Sequence, residues 1–273
     1  MTPTIGVFDS GFGGLTVLRA LIQRLPQARF AFLGDTARLP YGSKSRRTIA
    51  RYAAQSAQFL VREQGAEFLV IACNTASALA LDAIQDAVPV PVLGVIEPGA
   101  EAARAASRSG DVLVIATDAT VQSHAYAAAC QAHGLRVLEK ACPLLVPLVE
   151  EGWTDHPVTA EVLRIYLDEL TAEAAFEGLK PDTLVLGCTH YPLLKEAIQR
   201  FVGPEIKLVD SAHNCAAAVK KLLAAEHLAA DKARLGKLDV ALTDRSDGFL
   251  RVAEQALALQ VGDVQLRTVQ AAV

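Results

Sequence analysis

Short continuous apolar runs recur along the chain, and most give way to a segment whose apolar residues fall at helical spacing. The runs lie at residues 5–8, 30–34, 69–72, 92–96, 111–116, 135–139, 184–187, 206–209, 238–242 and 264–269. Their length and β-branched content mark strands buried on both faces, as in a parallel sheet. Between them, Leu15, Leu18, Leu21, Ile22 and Leu25 form one helical stripe that Pro26 stops. Further helices are expected at 46–64, from Ala76 to the Val88-Pro89 closure, and at 100–107, 123–133 and 143–151. Others are expected within 156–178, through Phe201, and at 212–226 and 248–259. Alternating strand and helix predicts an α/β fold with right-handed crossovers. The alternation runs through two similar rounds. We therefore expect two pseudo-symmetric lobes, each a largely parallel sheet flanked by helices, with the active site in the cleft between them. Residues 1–97 with 210–273 would make the first lobe and 98–209 the second.

Two stretches look like copies of one device. Leu69-Val70-Ile71-Ala72-Cys73-Asn74-Thr75 and Leu184-Val185-Leu186-Gly187-Cys188-Thr189-His190 each run from strand residues through a small residue to a cysteine and then to hydrogen-bonding side chains. Each cysteine falls at the carboxyl edge of its strand, where open α/β sheets bind ligands. Composition narrows the chemistry. The 273 residues are 52% hydrophobic, carry a net charge of −4 and contain no basic tract, so nucleic acid is not an expected partner. No apolar stretch approaches a membrane span and the first residues lack a leader pattern, so a soluble cytoplasmic protein is expected. Five sparse cysteines in a reducing compartment are read as free thiols.

The first strand ends at Asp9-Ser10-Gly11-Phe12-Gly13-Gly14. Glycines permit close backbone approach to a ligand, and amides at a helix start favour an anion. The spacing fits no nucleotide fingerprint, and Asp9 would repel a phosphate. A carboxylate beside free amides suits a zwitterion; the alternative is that Asp9 or Ser10 only caps the helix. A single cysteine would be read as core packing. Two in duplicated contexts suggest an acid–base pair that inverts a carbon bearing an acidic hydrogen, one thiolate removing a proton while the opposite thiol delivers another. Asn74, Thr75, Thr189 and Ser10 are short and polar enough to steady the carbanion. His190 is placed to tune Cys188, Asp9 to tune Cys73 or hold an ammonium group, and Glu151 to orient His190. Zinc at Cys73, Cys188 and His190 is the rival reading, against which stands the absence of any Cys-x-x-Cys pair. Cys130, Cys142 and Cys215 are read as core.

These residues resemble a known family. Val7 to Gly14, Pro40-Tyr41-Gly42, Ala72 to Ala76 and Gly187 to Pro192 are similar to the motifs of bacterial glutamate racemases, within the aspartate/glutamate racemase family. So are Gly94 to Pro98, Thr117-Asp118-Ala119-Thr120 and Val209-Asp210-Ser211. The resemblance implies a cofactor-independent interconversion of L- and D-glutamate that supplies D-glutamate for peptidoglycan. It implies that Cys73 and Cys188 are the acid–base residues, with Asp9 and His190 assisting. Substrate would be held by Asp9-Ser10, Pro40-Tyr41-Gly42, Asn74-Thr75, Thr117, Thr120 and Thr189-His190, with Glu151 nearby. It also implies a homodimer; no metal, nucleic acid or membrane is expected as a partner. Aspartate racemisation, a pyridoxal phosphate racemase and a silent two-lobed binding protein are the alternatives.

Overall fold

The computed structural model describes residues 3–225 and 237–245, together with 249, 251, 253, 264–267 and 269. Ten strands are described: β1 (Thr4–Asp9), β2 (Arg29–Gly34), β3 (Phe68–Ile71), β4 (Val92–Gly94), β5 (Asp111–Ala116), β6 (Arg136–Ala141), β7 (Thr183–Gly187), β8 (Lys207–Asp210), β9 (Lys237–Leu242) and β10 (Val264–Leu266). They form two sheets, ordered β10-β9-β2-β1-β3-β4 and β6-β5-β7-β8. All the pairings are parallel.

The internal repeat is visible in the strand order. From β1 the chain crosses to β2 on one side and then returns to β3 on the other. From β5 it crosses to β6 and returns to β7 in the same way. Each sheet thus has a switch point, at β1/β3 and at β5/β7, where diverging connections leave a crevice at the carboxyl ends. Cys73 follows β3 and Cys188 follows β7, so the two thiols occupy equivalent places.

The strands beside these crevices are apolar because both faces are covered. Ile5 and Val7 of β1 pack in one cluster, against Leu18 and Leu21 of the helix Leu15–Arg24, while Phe8 packs on the opposite face with Ile49, Ala53 and Leu60 of the helix Arg46–Arg62. The second sheet repeats this, with Leu113 and Ile115 on one face and Val112 and Val114 on the other. Each such side chain, removed from water completely, contributes about 1.5–3 kcal/mol. This is the stiffness that a crevice holding reactive groups in register requires.

Several elements differ from the pattern. The expected strand at 92–96 ends at Gly94, and Ile96 opens the helix Ile96–Ala106, whose packing against Val112 explains the apolar run. The helix expected after Ala76 begins at Asn74 and breaks at Ala80 into Asn74–Leu79 and Leu81–Ala87. The helix expected at 123–133 is Ala125–Ala132, and a separate short helix not expected, Asp118–Gln122, precedes it, the two parted at His124 with φ of 53°. The expected helix at 248–259 lies mostly outside the described residues. Among the described residues no helix is long and apolar enough to cross a membrane.

Candidate active site

The two cysteines open into one cavity of about 390 Å³, lined also by Ser10, Tyr41, Asn74, Thr75, Thr117, Thr189 and His190. That volume suits a small ligand. Cys73 leaves β3 extended and caps the helix Asn74–Leu79, its sulfur accepting from the Ala76 amide at 3.4 Å. Its thiol donates to Ser10 Oγ at 3.2 Å. Burial pushes the Cys73 thiol up to about 12, and the Asp9 charge adds to this; the Ser10 and Ala76 bonds work against it without prevailing. The helix start therefore does not make Cys73 a ready thiolate, contrary to the simplest expectation for such a position. Cys188 sits at the start of the turn into the 3-10 segment Tyr191–Leu194, with its sulfur 3.7 Å from His190 Nδ1.

The glycine turn after β1 is braced from within. Asp9 Oδ2 accepts from the Gly11 amide at 3.0 Å, and the Gly14 amide also bonds this carboxylate. The following helix is capped by Gly14 with no side-chain bond, so neither Asp9 nor Ser10 is its cap. Asp9 is 1% exposed and lies behind the cavity wall, with Oδ1 lacking a hydrogen-bond partner. Burial raises its pKa, while nearby His190 pulls the other way.

His190 is hemmed in. Phe12 meets its ring edge-on at 5.6 Å, and its Nε2 lies 3.3 Å from Glu150 Oε1, an ion-pair distance without hydrogen-bond alignment. The partner expected here, Glu151, is exposed and takes no part. The helix Leu145–Glu150 ends one residue earlier, and a step of one residue turns a side chain by about 100°. Glu150, not Glu151, is therefore the carboxylate that faces His190. Burial works to lower the His190 pKa, but the bond to Cys188 and the Glu150 carboxylate outweigh it and lift it from 6.5 to about 10.

A folded pKa above the unfolded value means that the proton stabilises the fold. That contribution is complete below about pH 6.5 and is lost as pH rises through about 10. The melting-temperature difference between the wild type and His190→Gln is therefore expected to shrink between pH 7 and 10.5 or so. A constant difference over that range would show that His190 is not charged in the fold.

The remaining expected residues divide into those that face the cavity and those that support it. Pro40, Tyr41 and Gly42 line it, but the Tyr41 hydroxyl is already engaged, donating to Asp35 Oδ2 at 2.5 Å. Asp35 is wholly buried and also accepts from Arg38 at 2.7 Å and from Thr243 Oγ1 at 2.9 Å. It ties the Tyr41 loop to the ends of β2 and β9. The Gly42 carbonyl accepts from the Ala119 amide at 3.1 Å, joining this loop to the second sheet's side of the cavity. Thr75, Thr117 and Thr120 form a triangle of hydroxyls 2.9–3.3 Å apart; Thr75 and Thr117 reach the cavity, while Thr120 closes the triangle from behind. Asn74 lines the cavity, and its Oδ1 accepts from the Tyr126 hydroxyl at 2.6 Å. Gly11, Leu39, Ser43, Asp118, Pro143, Val146, Pro147 and Glu150 complete the wall. Tyr126 and Glu150 carry no local signal, because each acts through a partner distant in sequence, and Asp35 draws on Thr243, 208 positions on, as well as on its neighbours Arg38 and Tyr41. Cys130, Cys142 and Cys215 are buried away from the cavity.

Two thiols on one small cavity, one of them beside an imidazole, place two proton-exchanging groups around a single small ligand space. Residues 5–221 match the family profile described as Asp/Glu/Hydantoin racemase. The chain is 55% identical over 221 residues to a protein named glutamate racemase from Koribacter versatilis, covering 81% of this chain and 75% of that one. It is 48% identical over 262 residues to one of the same name from Geobacter metallireducens, covering 95% and 94%. The crystal structure of glutamate racemase from Francisella tularensis in complex with D-glutamate superposes with a TM-score of 0.88 at 34% identity, covering 99% of both chains.

Proposed function

Because the chain belongs to the Asp/Glu/Hydantoin racemase family, we propose that it interconverts L- and D-glutamate by proton transfer between two thiols, and that it supplies D-glutamate for peptidoglycan. The observation that carries this reading is the pairing of Cys73 with Cys188 on one cavity. The names of the relatives favour glutamate as substrate. The reading takes residues 1–97 with 210–273 as one lobe and 98–209 as the other, and the sheet memberships support it. A homodimer in the cytoplasm remains part of the proposal.

In the proposed reaction one sulfur, as thiolate, takes the α-hydrogen as a proton and leaves the electron pair on the α-carbon. The opposite thiol gives its proton to the other face of the planar carbanion. The first sulfur ends protonated and the second ends as thiolate, so the reverse reaction exchanges their roles. Proton exchange with water resets the pair, assisted by His190 at Cys188 and by Asp9 behind Cys73. The amide of Asn74 and the hydroxyls of Thr75, Thr117, Thr189 and Ser10 donate to the substrate carboxylates, stabilising charge that grows as the carbanion forms. Each transfer is worth about 10²–10⁴ in rate.

The test is a cofactor-free assay of the purified protein by circular dichroism with L-glutamate and L-aspartate. Racemisation of glutamate, with aspartate much slower, is expected. Preference for aspartate would transfer the assignment to that amino acid, and no turnover of either would remove the enzymatic reading.

A further inference from the structure

Tyr126 does not line the cavity, yet it is wholly buried and hydrogen-bonded to a residue that does. It stands on the helix Ala125–Ala132, in the second round of the repeat, and reaches Asn74, which directly follows Cys73 in the first. Its ring is held on two sides by the absence of side chains. A Cβ on Gly99 would come within 2.9 Å of Tyr126 Cε1, and one on Gly187, the residue before Cys188, within 3.0 Å of Cε2. The hydroxyl is therefore delivered to a fixed point between the residues that follow the two switch points.

The chemistry of that point is directional. A phenol has one proton to donate. Ser211, at the crossover after β8, is a second hydrogen-bonding neighbour of the Tyr126 hydroxyl. The phenol proton is committed to Asn74 Oδ1, at 2.6 Å, because an amide oxygen only accepts, which leaves Ser211 the part of donor. An amide whose oxygen is held at one side presents its NH₂ at the other. Unheld, it could equally turn its oxygen to the cavity and meet a carboxylate with like polarity.

We propose that Tyr126 is a positioning residue that fixes the Asn74 side chain with its NH₂ toward the substrate, so that a hydrogen-bonded series runs from Ser211 through Tyr126 and Asn74 to the bound carboxylate. This rests on the reading above that Asn74 holds substrate. Tyr126 touches no substrate itself. It acts only through Asn74, and its effect belongs to binding more than to proton transfer.

The experiment is a double-mutant cycle on glutamate racemisation with separate kcat and KM. Tyr126→Phe keeps the ring between Gly99 and Gly187 and removes only the hydroxyl. It is expected to raise KM about tenfold, the scale of one misdirected buried hydrogen bond, with a smaller change in kcat. Asn74→Ala is expected to raise KM at least as much, and the double variant no more than Asn74→Ala alone, because residues acting through one another are not additive. Ser211→Ala should shift KM in the same direction by less, which provides a second reading if Tyr126→Phe folds poorly. Additive effects in the double variant, or unchanged KM in Tyr126→Phe alongside an impaired Asn74→Ala, would overturn the role of Tyr126 alone. Normal kinetics in Asn74→Ala would overturn the reading of Asn74 and the inference with it.

Discussion

Cys73→Ser and Cys188→Ser are each expected to lower kcat/KM for glutamate racemisation by about 10²–10⁴-fold, the worth of one positioned proton carrier. A hydroxyl occupies nearly the same space as a thiol but does not ionise in the range where thiols do, so the loss isolates acid–base chemistry from packing. Cys73 has a particular reason to be sensitive. Burial and Asp9 already push its thiol up to about 12, so in the proposed reaction it would be the proton donor at neutral pH and would need an accompanying change around it to act as base. Cys188, beside His190 at 3.7 Å, has a cationic neighbour at hand. The two variants should therefore be unequal in the two directions of reaction, with melting temperatures close to the wild type. Equal activity in all three proteins would reduce both cysteines to core packing.

Gly13→Ala is expected to cost about a hundredfold in activity from a single added methyl group. A Cβ at Gly13 would lie 2.5 Å from His190 Nδ1 and 2.7 Å from Cε1, and would also strike Thr189 Oγ1. Contacts that short force a movement. His190 has little room to move, with the Phe12 ring on one side and Glu150 and Cys188 on others. The shift therefore disturbs the placement of the imidazole against the sulfur, and misplacing a catalytic constellation by about 1 Å costs on the order of 10²-fold. The Thr16 hydroxyl lies near both the Gly13 and Thr189 carbonyls, at 2.9 and 3.2 Å, and seats the turn against the 188–190 segment. Steady-state kinetics together with the pH profile provide the check. Loss of activity with an altered basic limb is expected; wild-type values for both would mean that the turn yields freely and that His190 is not held as described.

The repeat, the strands and the paired thiols were legible in the chain because they are local patterns: a run of buried-strand residues, a small residue, a cysteine and a polar tail. Cys73, Cys188, His190, Ser10, Asn74 and Thr75 reach the cavity for that reason. What could not be read depended on partners remote in sequence or on angles about a helix axis. Asp35 matters through Tyr41 and through Thr243, some 208 positions on. Tyr126 matters through Asn74, 52 positions away. Glu150 and Glu151 are indistinguishable by composition, and only the end of the helix Leu145–Glu150 decides which one faces His190. The run 92–96 looked like a strand throughout because Ile96 is apolar for a different reason, its packing beneath the helix it opens.

The most direct measurement of the central claim uses solvent hydrogen. L-glutamate and D-glutamate are each incubated with the protein in deuterated water, and product and recovered substrate are separated at low conversion and analysed by mass spectrometry. Two thiols on opposite faces predict deuterium at the α-carbon of the product, delivered from the far sulfur, with recovered substrate nearly free of label from either direction. Product that retains the original hydrogen, or substrate labelled as fast as product, would mean that one group serves both faces and would contradict the account.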